Sequence, residues 1–72
     1  MTHQIFVLET DFVELNQLLK LTGLCNSGAA GKHLVASAQV FVDGQLELRK
    51  TAKIRAGQMV SFGEANIAVR AT

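Results

Sequence analysis

Gln4-Ile5-Phe6-Val7-Leu8 is apolar throughout after its first residue, holds no Gly or Pro, and stops at Glu9-Thr10-Asp11. A run that short predicts a strand. Behind it the apolar spacing lengthens: Phe12, Leu15, Leu18, Leu19 and Thr22 fall at i, i+3, i+6, i+7 and i+10, which is one face of a helix. Asp11 followed by Glu14 makes a partial capping box, so the helix is expected to begin there. Gly23 stands where a helix ends on a left-handed residue.

Asn26-Ser27 offers a second N-cap, opening Gly28-Ala29-Ala30-Gly31-Lys32-His33-Leu34-Val35-Ala36. The two glycines weaken this helix by roughly 0.5–1 kcal/mol each relative to alanine. Close packing against the first helix is the simplest compensation, for Ala30 and Gly31 above all. From Gln39 the period falls to two. Val40 and Val42 alternate with Gln39 and Phe41, Asp43-Gly44 supplies a two-residue turn, and Leu46 and Leu48 alternate with Glu47 and Arg49. Asp-Gly between alternating strands predicts a hairpin. Leu46 and Leu48 are expected to face the core, with Glu47 and Arg49 in solvent and Lys50, Lys53 and Arg55 beyond the strand end. Ala56-Gly57-Gln58 then reads as a turn, Met59-Val60-Ser61-Phe62 as a strand, Gly63-Glu64-Ala65-Asn66 as a turn and Ile67-Ala68-Val69-Arg70 as a last strand. The fold class is α+β: a short N-terminal strand, a two-helix hairpin and a small, mostly antiparallel sheet, in one domain over residues 1–72.

Composition narrows the class. A chain of 72 residues, 49% hydrophobic and 18% charged, is no disordered tail. At this size ~60% of the unfolded surface is buried on folding, enough for one small core. No apolar run approaches the ~20 residues of a membrane span, and the N-terminus lacks the basic head and apolar core of a secretory signal. Cys25 is a single cysteine and cannot close an internal disulfide. A soluble, cytoplasmic domain is the expectation.

The net charge of +1 says little, but its distribution says more. Residues 1–31 set Lys20 against Glu9, Asp11 and Glu14, a net −2. Residues 32–55 set Lys32, Arg49, Lys50, Lys53 and Arg55 against Asp43 and Glu47, a net +3. Four of those cations lie in the seven residues from Arg49 to Arg55.

Catalytic chemistry finds little support. There is no Tyr or Trp, no paired-carboxylate constellation and no Gly-x-Ser-x-Gly. Cys25 with His3 or His33 would be the only thiol–imidazole pairing, and Cys25 reads more simply as a small apolar residue in the inter-helix turn. Two histidines and one cysteine supply no zinc-ligand spacing. No enzyme, metal, cofactor or small-molecule substrate is expected. Gly28-Ala29-Ala30-Gly31-Lys32-His33 fails the P-loop pattern, because the first Gly is too close and His follows the Lys. A Ser-capped helix start with small residues nevertheless presents free N–H groups to an anion, and Lys32 adds to that field. The basic run is the second candidate element, suited to phosphates. Phe41, on the polar side of its strand by alternation, is the one candidate platform for stacking a base, or else part of a second small apolar cluster.

Taken in order, Leu15-(x2)-Leu18-Leu19-(x3)-Gly23-(x3)-Ser27-Gly28-(x3)-Lys32-(x2)-Val35-(x4)-Val40-Phe41-Val42-Asp43-Gly44 resembles the S-four RNA-binding domain, a helix–helix–hairpin module named after a small-subunit ribosomal protein. Glu47-Leu48-Arg49-Lys50 and Lys53-Ile54-(x2)-Gly57-Gln58-Met59-Val60-Ser61-Phe62 look like its stand-alone bacterial YbcJ-like branch. The resemblance covers about Phe12 to Phe62. It implies the αL RNA-binding motif, with RNA held by the start of the second helix and the adjoining hairpin. Carried over by position, that points to Ser27, Gly28, Lys32, Arg49 and Lys50, extended by Lys53 and Arg55. The chain departs from the family where Gly28 replaces a frequent Arg, Ala38 a Gly before the hairpin, and Asp43 the hairpin Asn. The first function implied is a non-catalytic module for structured RNA of the ribosomal or transfer class. The alternative, from a different class, is a protein-interaction module using the same fold and exposed face.

Overall fold

In a computed structural model describing residues 2–72, the chain forms seven strands and two helices. They are β1 (Thr2–Leu8), β2 (Val13–Glu14), α1 (Leu15–Leu21), α2 (Gly28–Ala36), β3 (Val40–Val42), β4 (Gln45–Leu46), β5 (Lys53–Ile54), β6 (Met59–Phe62) and β7 (Ala65–Ala71). Five strands make one sheet in the order β1-β7-β6-β3-β4, while β2 and β5 pair apart as an antiparallel two-stranded ribbon. The large sheet is antiparallel except that β1 runs parallel to β7. The α+β architecture is thus the expected one, with the small ribbon in addition.

Strand alternation sets the core. Val40 on β3, Val60 on β6, and Ile67 and Val69 on β7 are buried, together with Leu8 at the end of β1. Against them pack Leu15, Leu18 and Leu19 from α1 and Val35 from α2, all fully buried. The leucine spacing read from the sequence is therefore the buried face of α1.

The start of α1 is not the expected one. Asp11 caps nothing, and the helix begins at Leu15 behind the two residues of β2. Glu14 holds the N-cap position with no side-chain cap bond. The first free N–H groups of the helix are satisfied from elsewhere: Leu15 N–H donates to the Ala52 carbonyl at 2.9 Å and Asn16 N–H to the Lys50 carbonyl at 3.2 Å. A loop distant in sequence does the work a capping box does locally. Phe12 accordingly lies outside the helix, half-buried. The C-terminus follows the sequence. Gly23 has φ +82°, its N–H donates to the Lys20 carbonyl, and Leu24 N–H donates to the Leu19 carbonyl, which is a Schellman closure.

The helix cap at Ser27 is as read: its Oγ accepts from Ala30 N–H at 3.0 Å. Gly31 is buried, and a Cβ there would strike the Asn16 carbonyl oxygen and lie 3.0 Å from the Asn16 Cα and carbonyl carbon. The helices cross so closely at this point that only glycine fits. No helix among the described residues is long and apolar enough to cross a membrane.

The hairpin corrects a second expectation. Asp43 and Gly44 form the turn at φ +52° and +82°, but the register sets Phe41 opposite Leu46 and Val42 opposite Gln45. Opposed residues share a face, so Leu46 joins Phe41 on the outer side of the sheet rather than Val40 and Val42 in the core. The strand ends there. Leu46 and Leu48 are exposed, whereas Glu47 is half-buried with its N–H donating to the Val40 carbonyl at 3.0 Å.

Candidate functional site

The basic run is itself partly a strand. Ala52 and Ile54 are buried and alternate with exposed Lys53 and Arg55, so two cations project from the ribbon while the residues between them anchor it. Lys53 Nζ stands 5.0 Å from the centroid of the Phe12 ring and Arg55 Cζ 5.6 Å, both within cation–π range. Phe12, placed by sequence periodicity in a helix, instead braces two of the candidate cations. Glu14 pairs with Lys53 in the β2–β5 register, which sets one acid beside them.

Arg49 is exposed as expected, with 79% of its side chain open. It does not stand alone. Its Nε donates to Glu47 Oε2 at 3.0 Å and an Nη to Oε1 at 2.9 Å, and its backbone N–H donates to Oε2 at 3.0 Å. These bonds hold the Glu47 carboxyl below its ordinary value of 4.5, the side-chain bond from Arg49 being the largest cause, and they push the Arg49 guanidinium up in return. The fork fixes the direction of Arg49 but leaves part of the guanidinium open. Arg49, Thr51 and Lys53 line one open groove. On the other side of Arg49, a second groove also takes in Asp43 and Glu47. Asp43 is partly occupied, because its Oδ1 accepts from Met59 N–H at 2.9 Å.

Ser27 and Lys32 are exposed and Gly28 half-buried at the start of α2. What joins this helix start to the basic loop is Asn16, a residue the sequence did not single out. It is 2% exposed. Its backbone N–H donates to the Lys50 carbonyl, and its Nδ2 donates to the Gly28 carbonyl at 3.3 Å. One residue thus ties Gly28, through its side chain, to the loop that carries Arg49, Lys50 and Lys53, through its backbone. The Asn16 Oδ1 is buried with no hydrogen-bond partner. A polar residue between two core leucines was the available signal, visible only once its neighbours in space are known.

Phe41 lies on the sheet's outer face opposite Leu46, on the side away from the start of α2, and Leu46 lines the groove that Arg49 borders. Cys25 is half-buried in the inter-helix turn and packs on the core, with its Sγ–H donating to the Ser27 carbonyl at 3.4 Å. His33 is exposed on α2. Among the described residues no group of three or more His, Cys, Asp or Glu could hold a metal ion.

The S4 domain family model matches residues 6–70. The chain belongs to the S4 domain family. Within it, the chain is 53% identical over 57 residues to YbcJ of Escherichia coli K12, covering 79% of this chain and 81% of that protein, and equally to YbcJ of Shigella flexneri. The solution structure of E. coli YbcJ, described as revealing an αL motif involved in RNA binding, superposes with a TM-score of 0.71 at 48% identity. That superposition covers 92% of this chain and 85% of the other. The fold of this chain thus matches the structure in which that αL motif was seen.

Proposed function

We propose that this S4 domain is a non-catalytic, cytoplasmic RNA-binding module that holds structured RNA of the ribosomal or transfer class by its phosphate backbone. The α2 start, with Ser27, Gly28 and Lys32, would receive one phosphate on free N–H groups. Arg49, Lys50, Lys53 and Arg55 would neutralise others and release their counterions. The observation that carries the reading is the double tie of Asn16 to Gly28 and Lys50, which gives two cationic elements a shared support. The likeness to YbcJ adds to it. Binding by shape and backbone suits a face whose phenyl ring, Phe12, is already covered by cations.

The test is a titration against pooled total RNA and a matched DNA duplex at low and moderate salt. Affinity for RNA should fall with a log–log slope of about −0.7 to −0.9 per phosphate contacted. It should be lost in Arg49→Glu/Lys53→Glu with the circular dichroism spectrum intact. Absence of RNA binding at low salt would refute the proposal.

A further inference from the structure

The helices cover one face of the five-stranded sheet and leave the other bare. Its outer rows follow from the registers. Ile5, Ala68 and Met59 stand side by side across β1, β7 and β6, and Phe41 and Leu46 extend the apolar surface over β3 and β4. Val7 borders it beside Arg70. The large apolar side chains here are far from buried: Ile5 is 59% exposed, Val7 49%, Leu46 47%, Met59 41% and Phe41 40%. Half-open side chains of this size amount to ~400 Å², the size of the largest apolar patch on a typical monomer, which is often functional.

The sequence of β1 points the same way. Ile5-Phe6-Val7-Leu8 is apolar at every position, the pattern of a strand covered on both faces, while this chain alone covers only one. From these features we infer that the outer sheet face binds a second copy of the same chain, sheet against sheet about a twofold axis.

Three observations select a second copy over another occupant. The face is self-complementary in shape. Ala68 is a low point between Ile5 and Met59, forming a shallow groove with His3 and Asn66 at its polar end. Each protomer therefore offers both ridge and hollow, as an isologous contact requires. The face also carries little unbalanced charge: in its outer rows Arg70 lies in the border row, and at the Leu46 end Arg49 is paired with Glu47 beside Asp43, so two copies approach without strong repulsion. Finally, the area is sufficient. Including its polar rows, the face exposes on the order of 500 Å², and two together reach the ~1,000 Å² that a specific interface needs. Sheets stacked in this way sit ~10 Å apart. Because the helices lie on the opposite side, both copies keep Ser27, Gly28 and Lys32 free, while Arg49 lies at the edge of the contact, in the groove that Leu46 also lines.

Sedimentation equilibrium from micromolar to millimolar chain, with reductant present so that Cys25 cannot link chains, tests the inference. The native chain should pass from one to two chain masses. Ala68→Arg, which fills the hollow and adds a charge, should remain monomeric throughout, as should Ile5→Lys, which changes an exposed ridge if the first variant folds poorly. Ala36→Lys, exposed on α2 and off this face, should dimerise like the native chain. A native chain that stays monomeric would overturn the inference, and so would a dimer that survives both face variants.

Discussion

Replacing Gly31 with alanine separates two opposite expectations. Judged by helix propensity, alanine inside α2 should stabilise the domain by about 1 kcal/mol. The structure argues the reverse. The new Cβ would overlap the Asn16 carbonyl oxygen and sit 3.0 Å from two further Asn16 backbone atoms. The obstacle is backbone of α1, which cannot rotate aside as a side chain can. The helices must part, and Asn16 moves with them, loosening its bonds to the Gly28 and Lys50 carbonyls. Overpacking of this kind costs ~1–3 kcal/mol, and each loosened bond adds ~1 kcal/mol. After the propensity gain of about 1 kcal/mol, a net loss of about 2–4 kcal/mol is expected. In a domain of this size that lowers Tm by roughly 10–30 °C. The assay is thermal and urea unfolding followed at 222 nm by circular dichroism. Gly28→Ala serves as the comparison, because its Cβ would meet the movable end of Gln17, 2.7 Å away, and it should lose less. A Gly31→Ala protein that melts at or above the native temperature would refute the packing argument.

Further expectations follow from single positions. Ala38 sits at φ +62° just past the end of α2, so Ala38→Gly should stabilise the domain by ~1 kcal/mol, seen as a higher urea midpoint; a lower one would contradict the assigned strain. Ser27→Ala removes the cap on Ala30 N–H and should cost ~1 kcal/mol in the same assay. Leu18→Ala, at a fully buried position, should cost ~2–5 kcal/mol, and an unchanged melt would show that residue to be misplaced. Glu47 has a carboxyl lowered in the fold, so its bonds to Arg49 stabilise above the ordinary value of 4.5 and are lost as pH falls through the lower folded value. The gap in urea midpoint between native protein and Glu47→Gln should therefore close on acidification below that range, whereas a constant gap would remove Arg49 as its cause.

How much was legible beforehand depended on whether the determining partner was near in sequence. Ser27, Gly23 and the Asp43-Gly44 turn act on residues within a few positions, and each sits where its local chemistry demands. Leu15, Leu18 and Leu19 follow helical spacing into the core. Leu46 and Leu48 were misread because alternation was carried through the turn without the pairing: a two-residue loop forces Leu46 onto the side of Phe41. The start of α1 was misread because its cap is supplied by Lys50 and Ala52. The ribbon of β2 and β5 is too short to show a period. Asn16 and Phe12 owe their roles in the candidate site to partners 12 to 43 residues away, a distance at which one sequence carries no signal.

The parallel pairing of β1 with β7 also bears on how the molecule is made. Thr2 aligns with Ala65 and Leu8 with Ala71, so every rung joins residues 63 positions apart. The α1–α2 pair and the β3–β4 hairpin can form while synthesis is still under way, but β1 has no partner until β7 has left the ribosome. Closing so long a loop carries an entropic cost that precedes any reward from pairing, which slows the final step. Until then Ile5-Phe6-Val7-Leu8 is an apolar strand with both edges open, so the nascent chain is most prone to aggregate in the interval before its last strand emerges.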